Sequence, residues 1–270
     1  MINRISFFNT VVFILLSFVS TKADSIWQNL EPGLKFGVFK SPFYSDSIKG
    51  RIRVIKIDPD RYDFLLLNAS APGEGENLSV KKWCRKHNLV AAINAAMYQT
   101  DYLTSVSLMK SSKHVNNSRL SKDKTILAFN RTNNSVPILK IIDLQCDDFG
   151  FWKQKYRSFV QSIRMISCKG ANVWSKNQPK WSIAAIGTDK TGNVLLIHSE
   201  LPHTVHNLIN IIKDLPLNIE RAMYLEGGSE AQLALITEDK EFEWVGQYSE
   251  SGLYPSVTPY IPNVIGIARK

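Results

Sequence analysis

Short apolar segments recur every ten to twenty residues along most of the chain, and Asn, Asp, Gly and Pro separate them. The segments are rich in Val, Ile, Phe and Tyr, a pattern typical of β-strands. The predicted strands cover residues 51–57, 63–69, 89–94, 106–109, 125–130, 138–144, 163–167, 183–189, 194–199, 222–226, 232–237 and 264–268.

Helical periodicity is less frequent. Apolar residues from Val205 to Ile212 follow the i, i+3, i+4, i+7 spacing behind Thr204 as N-cap, and Pro216 ends the segment. Weaker helical patterns cover residues 79–87 and 147–156. No Gly/Ser-rich linker divides the chain, so the sequence predicts a single α+β domain over residues 24–270, with mixed β-sheets flanked by a few helices.

The first 23 residues have the three parts of a secretory signal peptide. Arg4 precedes an apolar stretch over residues 11–19, and Thr21 and Ala23 occupy the −3 and −1 positions of a cleavage site before Asp24. The stretch is shorter than the roughly 20 residues that span a bilayer, so a cleaved signal is favoured over a membrane anchor. We therefore expect an exported protein, periplasmic or secreted, with no membrane span after cleavage.

Composition describes a folded chain, with 44% hydrophobic and 21% charged residues among 270. The 33 basic and 24 acidic residues give a net charge of +9, but the basic clusters are short and lack interleaved aromatics. This distribution argues against a nucleic-acid partner. Attraction to anionic substrates remains open.

In an oxidising compartment, paired cysteines form disulfides. Cys146 and Cys168 enclose about twenty residues and are predicted to be bonded to each other. Cys84 shares the apolar face of a predicted helix with Val80 and Trp83, so we expect a buried free thiol. Zinc is not predicted, because no Cys-x-x-Cys or His-x-x-x-His pair is present. His198, His203 and His206 are expected to be solvated.

Two apolar strands end in small or polar residues. Residues 90–93 lead into Asn94, and residues 222–225 lead into Glu226, Gly227, Gly228 and Ser229. A carboxylate that ends a buried strand before two glycines is a frequent active-site arrangement, because glycines leave backbone N–H groups accessible to an anion. A plain turn between strands is the alternative interpretation.

The order of these motifs resembles the phosphodiester glycosidase family, and in particular its compact exported bacterial members. The motifs that carry the resemblance are Asn94-Ala95-Ala96-Met97-Tyr98, Val115-Asn116-Asn117, Ser182-Ile183-Ala184-Ala185-Ile186-Gly187, Tyr224-Leu225-Glu226-Gly227-Gly228-Ser229 and Asn263-Val264-Ile265-Gly266. The resemblance extends from about Arg51 to the C terminus. Three features depart from the family pattern: alanines replace two glycines after Asn94, Glu226 replaces an aspartate, and one strand lacks its arginine.

The resemblance implies an exported hydrolase that cleaves a sugar-1-phosphodiester in a glycan or cell-envelope polymer. Glu226 would act as base or nucleophile, with Gly227, Gly228 and Ser229 binding the substrate. Arg164 lies in an otherwise apolar strand, where an unpaired charge is costly, and would replace the missing arginine as a second catalytic residue.

The other substrate contacts are expected from Lys110 and Arg119 to phosphate, and from Asn94 and Asn116 to sugar hydroxyls. The chemistry requires no cofactor, and the sequence neither demands nor excludes a divalent cation. The alternative function is a non-catalytic exported protein that binds glycans or anionic polymers through the same cleft. The lost arginine and glycines favour this alternative, whereas the retained carboxylate and glycine pair favour an enzyme.

Overall fold

The computed structural model describes residues 26–44, 50–248 and 258–270. The helices are α1 (Val80–His87), α2 (Phe149–Lys153) and α3 (Val205–Asp214). The strands are β1 (Trp27–Glu31), β2 (Leu34–Lys40), β3 (Arg51–Ile57), β4 (Tyr62–Asn68), β5 (Ala91–Asn94), β6 (Met109–Lys110), β7 (Val115–Asn117), β8 (Thr125–Arg131), β9 (Leu139–Asp143), β10 (Tyr156–Ser162), β11 (Arg164–Ile166), β12 (Trp181–Asp189), β13 (Val194–His203), β14 (Ile219–Gly227), β15 (Gln232–Ile236), β16 (Glu241–Val245) and β17 (Asn263–Arg269). The predicted signal peptide, residues 1–23, and its cleavage site lie outside the described residues.

The strands form three sheets. A seven-stranded sheet has the order β1-β2-β3-β13-β12-β14-β11, and the five-stranded sheets have the orders β7-β6-β10-β8-β9 and β16-β15-β5-β17-β4. Every ladder between the described strands is antiparallel, so the expectation of mixed sheets is wrong. Parallel pairs need long crossover connections, whereas a short turn is enough to join neighbours such as β12 and β13. The fold is mostly β, with three short helices.

One apolar core is shared by the three sheets. It includes Ile186 and Leu196 from the seven-stranded sheet, Leu127 from one five-stranded sheet, and Ile93 and Ile265 from the other. Fully burying such a side chain contributes roughly 1.5–3 kcal/mol, so this shared core fixes the three sheets against one another.

The helices cover outer faces of the sheets. The predicted apolar face of α3 packs on the seven-stranded sheet, and the hydroxyl of Thr204 caps this helix as expected. Trp83 of α1 packs on the sheet that contains β5. The helix predicted over 147–156 is reduced to the short α2, because Tyr156 already begins β10.

The cysteines behave as predicted. Cys146 and Cys168 form a disulfide with their Cα atoms 6.5 Å apart. Cys84 is a buried free thiol on α1, and burial raises its pKa. The disulfide closes the segment that contains α2, β10 and β11, and Cys168 lies two residues after the end of β11.

Candidate active site

Glu226 lies near the end of β14, which pairs with β12 on one side and β11 on the other. Ala184 of β12 faces Glu226, and the next residue, Ala185, faces Tyr224. Leu225 is therefore an extra residue on β14, a β-bulge directly before the glutamate. Bulges bend a strand locally and redirect side chains, and they are frequent beside active sites.

The two glycines after Glu226 are required by close packing. A Cβ on Gly227 would lie 2.3 Å from the hydroxyl of Tyr224 and 2.4 Å from the ring of Trp181. Gly228 has a φ of 66°, and a Cβ there would lie 2.1 Å from the ring of Tyr248. The residues at 227 and 228 therefore allow aromatic rings to approach the backbone at the strand end.

The Glu226 carboxyl group is poorly solvated. Burial raises its pKa to about 8, the charge of Glu230 adds to this effect, and the Gly227 N–H opposes it. That N–H donates to Glu226 Oε1 at 2.9 Å, so in this structure the Gly227 N–H, which was expected to face a substrate anion, is bound to the glutamate. Glu226 is mostly protonated at pH 7 and ionises in the mildly alkaline range.

Glu230 is a second carboxylate at this site, and the sequence analysis did not select it. It follows Glu226 by four residues and ends the 3₁₀ turn Gly228–Glu230. Glu230 Oε2 accepts hydrogen bonds from the hydroxyls of Tyr248 and Ser229. Ser229, expected to bind substrate, thus contacts Glu230 in this structure.

Three tyrosines surround the carboxyl groups. Burial, together with the charges of Glu226 and Glu230, raises the pKa of Tyr98, Tyr224 and Tyr248. All three therefore remain protonated at physiological pH and can donate hydrogen bonds. These tyrosines come from three distant parts of the chain, and of them Tyr98 and Tyr224 belong to the motifs that carry the family resemblance.

Arg164 begins β11 opposite Met223 of β14, but its side chain is committed to Asp143. Arg164 Nη1 lies 2.9 and 3.0 Å from the two carboxylate oxygens of Asp143, and 2.7 Å from Gln145 Oε1. Asp143 is buried and also accepts the backbone N–H of Cys168. The charge within an apolar strand is therefore neutralised by a protein carboxylate beside the disulfide.

Arg164 also lines a cavity of about 380 Å³, together with Lys122, Lys124, Trp174 and one acidic residue, Asp123. The ring of Trp174 lies 5.5 Å from that of Tyr224, so this basic cavity borders the strand that carries Glu226. An anionic part of a substrate would find its positive charges here.

The other predicted contact residues have different surroundings. Lys110 and Arg119 are exposed. Asn94 is buried and accepts the Gln232 N–H, while its Nδ2 has no partner among the described residues. Asn116 donates to Leu103 O and accepts from the Ser105 N–H. The two asparagines therefore hold the polypeptide in place, and their contacts with a sugar stay predictions, as do those of Lys110 and Arg119.

His198 and His203 are buried, so the expectation that they are solvated is wrong. His198 Nε2 donates to Ala231 O at 2.9 Å, and burial lowers its pKa to about 3, so the ring is neutral. This hydrogen bond fixes the backbone at Ala231, directly after Glu230. The sequence neither demands nor excludes a divalent cation, and the structure does not change this: among the described residues, Asp143, Cys146 and Cys168 lie close enough together to hold a metal ion, but both sulfurs are in the disulfide.

A poorly solvated carboxyl group, a second carboxylate and several tyrosine hydroxyls are groups of the kind that glycoside hydrolases use. The model of the phosphodiester glycosidase family matches residues 87–268, more than half of the 270 residues. The chain belongs to this family, and the family resemblance read from the sequence is confirmed. The matched region includes Asn94, Arg164 and Glu226. No curated protein sequence matches the chain significantly.

Solved structures share the fold at low sequence identity. The catalytic domain of zebrafish N-acetylglucosamine-1-phosphodiester alpha-N-acetylglucosaminidase, auto-inhibited by its pro-peptide, has a TM-score of 0.65 and 14% identity over 90% of this chain and 86% of its own. A Synechocystis protein has a TM-score of 0.59 and 12% identity over 90% and 63% of the two chains. A Burkholderia pseudomallei protein has a TM-score of 0.52 and 10% identity over 81% and 74%. No helix among the described residues is long and apolar enough to cross a membrane.

Proposed function

We propose that the protein hydrolyses the bond between the anomeric carbon of a sugar and the phosphate of a sugar-1-phosphodiester. The observation that carries this proposal is Glu226, a carboxyl group at a strand end whose pKa is raised to about 8 by burial. The membership of the chain in the phosphodiester glycosidase family supports the reaction class. The substrate would be a carbohydrate phosphodiester or an anionic glycan.

The leaving group decides which catalysis is needed. A phosphate monoester is stable as an anion, so it leaves without protonation by a general acid. The demanding step is the activation of water, which requires a base. A carboxylate with a pKa of about 8 is a stronger base than an ordinary glutamate and still ionises near neutral pH.

We assign the base to Glu226. Its ionised carboxylate takes a proton from water while the water oxygen bonds to the anomeric carbon, and the bond from that carbon to the phosphate oxygen breaks. The electron pair of that bond leaves with the phosphate. Glu230 places a second carboxylate near the positive charge that develops on the sugar, and the tyrosine hydroxyls can bind sugar oxygens.

One observation favours the non-catalytic alternative. Arg164 is neutralised by Asp143, so the described site offers no arginine dedicated to the phosphate of the scissile bond. Under this alternative the cleft would bind glycans or anionic polymers without turnover. The experiment that separates the two is release of free sugar from a panel of sugar-1-phosphodiesters, with Glu226→Gln as control. Release by the wild type alone supports hydrolysis; binding without release supports the alternative.

Export is part of the proposal. Disulfides persist in oxidising compartments, and the bond between Cys146 and Cys168 fits the periplasm or the exterior better than the cytoplasm. N-terminal sequencing of the exported protein should find Asp24 as the first residue. Export of a chain that still begins with Met1 would contradict cleavage and favour an anchor.

A further inference from the structure

The side chain of Tyr102 is exposed to solvent, and its backbone adopts a conformation that is rare for tyrosine. Its side chain is 64% exposed, and its φ is 58°, in the left-handed region. Such a backbone conformation is uncommon for a bulky residue, and residues held in it concentrate at functional sites. The residue lies in the loop between Tyr98 and Ser105, which are joined by an antiparallel bridge.

The loop around Tyr102 is fixed by many hydrogen bonds. Asp101 Oδ1 accepts the N–H groups of Leu103 at 3.0 Å and Thr104 at 2.9 Å. The Tyr102 backbone is bound on both sides, since its N–H donates to Gln99 O and its carbonyl accepts from Asn77 Nδ2 at 2.8 Å. The loop therefore holds the backbone of Tyr102 in a defined conformation.

Asn116 adds to this support from a neighbouring strand. Its Nδ2 donates to Leu103 O at 3.0 Å and its Oδ1 accepts the Ser105 N–H at 2.7 Å. Asn117 Nδ2 donates to Ser105 O at 2.7 Å. Asn116, which the sequence analysis selected, and its neighbour Asn117 thus brace the segment that carries Tyr102.

The ring of Tyr102 is continuous with the candidate active site. Its centroid lies 6.0 Å from that of Tyr98, with the two rings inclined by 48°, and the charges of Glu230 and Glu226 add to burial in raising the pKa of Tyr98. The hydroxyl of Tyr248 donates to Glu230. The exposed ring of Tyr102 and the neighbouring ring of Tyr98 therefore lie between the solvent and the carboxyl groups.

We propose that Tyr102 and Tyr98 form a platform that binds a pyranose ring of the substrate by stacking. This inference rests on the proposed function and specifies how the sugar is held. The C–H groups of a pyranose form an apolar face that packs on an aromatic ring, while its hydroxyls remain free for polar contacts. On a fixed backbone, tyrosine loses only the freedom of its two side-chain torsions on binding, which favours this role over a solvated surface residue.

The test replaces the ring without disturbing the loop. Tyr102→Asn removes the ring and keeps a residue that tolerates positive φ, while Tyr102→Phe keeps the ring. Phe151→Ala, at an exposed aromatic residue on α2, is the control for loss of surface area. The probes are the methyl phosphodiesters of N-acetylglucosamine 1-phosphate and glucose 1-phosphate.

With whichever probe is hydrolysed, Tyr102→Asn should raise KM about threefold to tenfold and change kcat less than twofold. Tyr102→Phe should stay within about twofold of the wild-type KM. A KM for Tyr102→Asn within twofold of wild type would overturn the platform. So would an equal rise for Phe151→Ala.

Failure of the proposed function is recognised separately. Saturation-transfer NMR detects contact of the pyranose C–H protons with aromatic protons and needs no turnover. If neither probe is hydrolysed but both receive saturation from the aromatic protons of the wild type and not from those of Tyr102→Asn, hydrolysis fails and the platform stands. Absence of saturation transfer from the wild-type protein to both probes overturns the platform.

Discussion

The substitution Glu226→Gln separates a catalytic carboxyl group from a structural one. Gln keeps the size of the side chain and an oxygen that can accept the Gly227 N–H, but it cannot take a proton from water. Loss of a general base removes typically two to four orders of magnitude in rate. We therefore expect the hydrolysis of a sugar-1-phosphodiester to fall by at least a hundredfold.

The same substitution should make the protein more stable. The folded protein binds the Glu226 proton with a pKa of about 8, against an ordinary value of 4.5. Because the folded pKa is raised, the stabilisation is fully present below pH 4.5 and is lost as the pH rises through 8. Each pH unit between the two values corresponds to about 1.4 kcal/mol, so at pH 7 the wild type is about 3 kcal/mol less stable than a variant without this ionisation.

The assay is urea unfolding of both proteins at pH 5, 7 and 9. The difference in unfolding free energy should be below about 1 kcal/mol at pH 5, about 3 at pH 7 and roughly 4 to 5 at pH 9. Glu220→Gln, an exposed position on the same strand, should stay near zero throughout. A difference for Glu226→Gln that does not vary with pH would refute the burial argument, and full activity would remove the mechanism.

Three further predictions follow from the same structure. Because Glu226 acts only when ionised, kcat/KM should rise about tenfold from pH 6 to 7 and level off above pH 8, as measured by initial rates across this pH range; a flat profile contradicts this role. Cys168→Ser should lower the unfolding free energy by about 3 kcal/mol, while Cys84 stays unreactive towards thiol reagents until the protein unfolds. Arg164→Met should lower it by about 3 to 5 kcal/mol, because Asp143 is left buried and unpaired, and adding Asp143→Asn should restore part of the loss; unchanged melting would contradict the ion pair.

The sequence predicts strands with continuous apolar runs better than strands with interspersed polar residues. The runs Ile183–Ile186 of β12 and Val194–Ile197 of β13 lie at predicted positions. The strands β1, β2, β7, β10 and β16 were not predicted: β1, β7 and β16 lie at sheet edges, whereas β2 and β10 lie inside sheets but carry polar residues among the apolar ones. The antiparallel arrangement of the sheets depends on long-range pairing, which strand patterns alone do not reveal.

The position of the candidate site could also be predicted, but its chemistry could not. The pattern of an apolar strand, a carboxylate and two glycines identifies Glu226 without knowledge of the fold. The pKa of that carboxyl group depends on burial by distant segments, for Tyr98 and Tyr248 are separated by 150 positions and meet around Glu230. Glu230 itself had no distinguishing pattern, since a glutamate after a turn is usually a solvated charge.

The charge of Arg164 in an apolar strand can be compensated in two ways. A charge within an apolar strand needs a partner, and the sequence alone allows either a substrate phosphate or a protein carboxylate. The structure supplies Asp143, and the N–H of Cys168 bonds to the same carboxylate, so the ion pair and the disulfide form one unit. Arg164 is consequently a partly neutralised charge at the wall of the basic cavity, and the lysines there are exposed to solvent. Exposed charges bind weakly in salt, so under the proposed function substrate selection would fall chiefly to the sugar side, where the tyrosines and carboxyl groups lie.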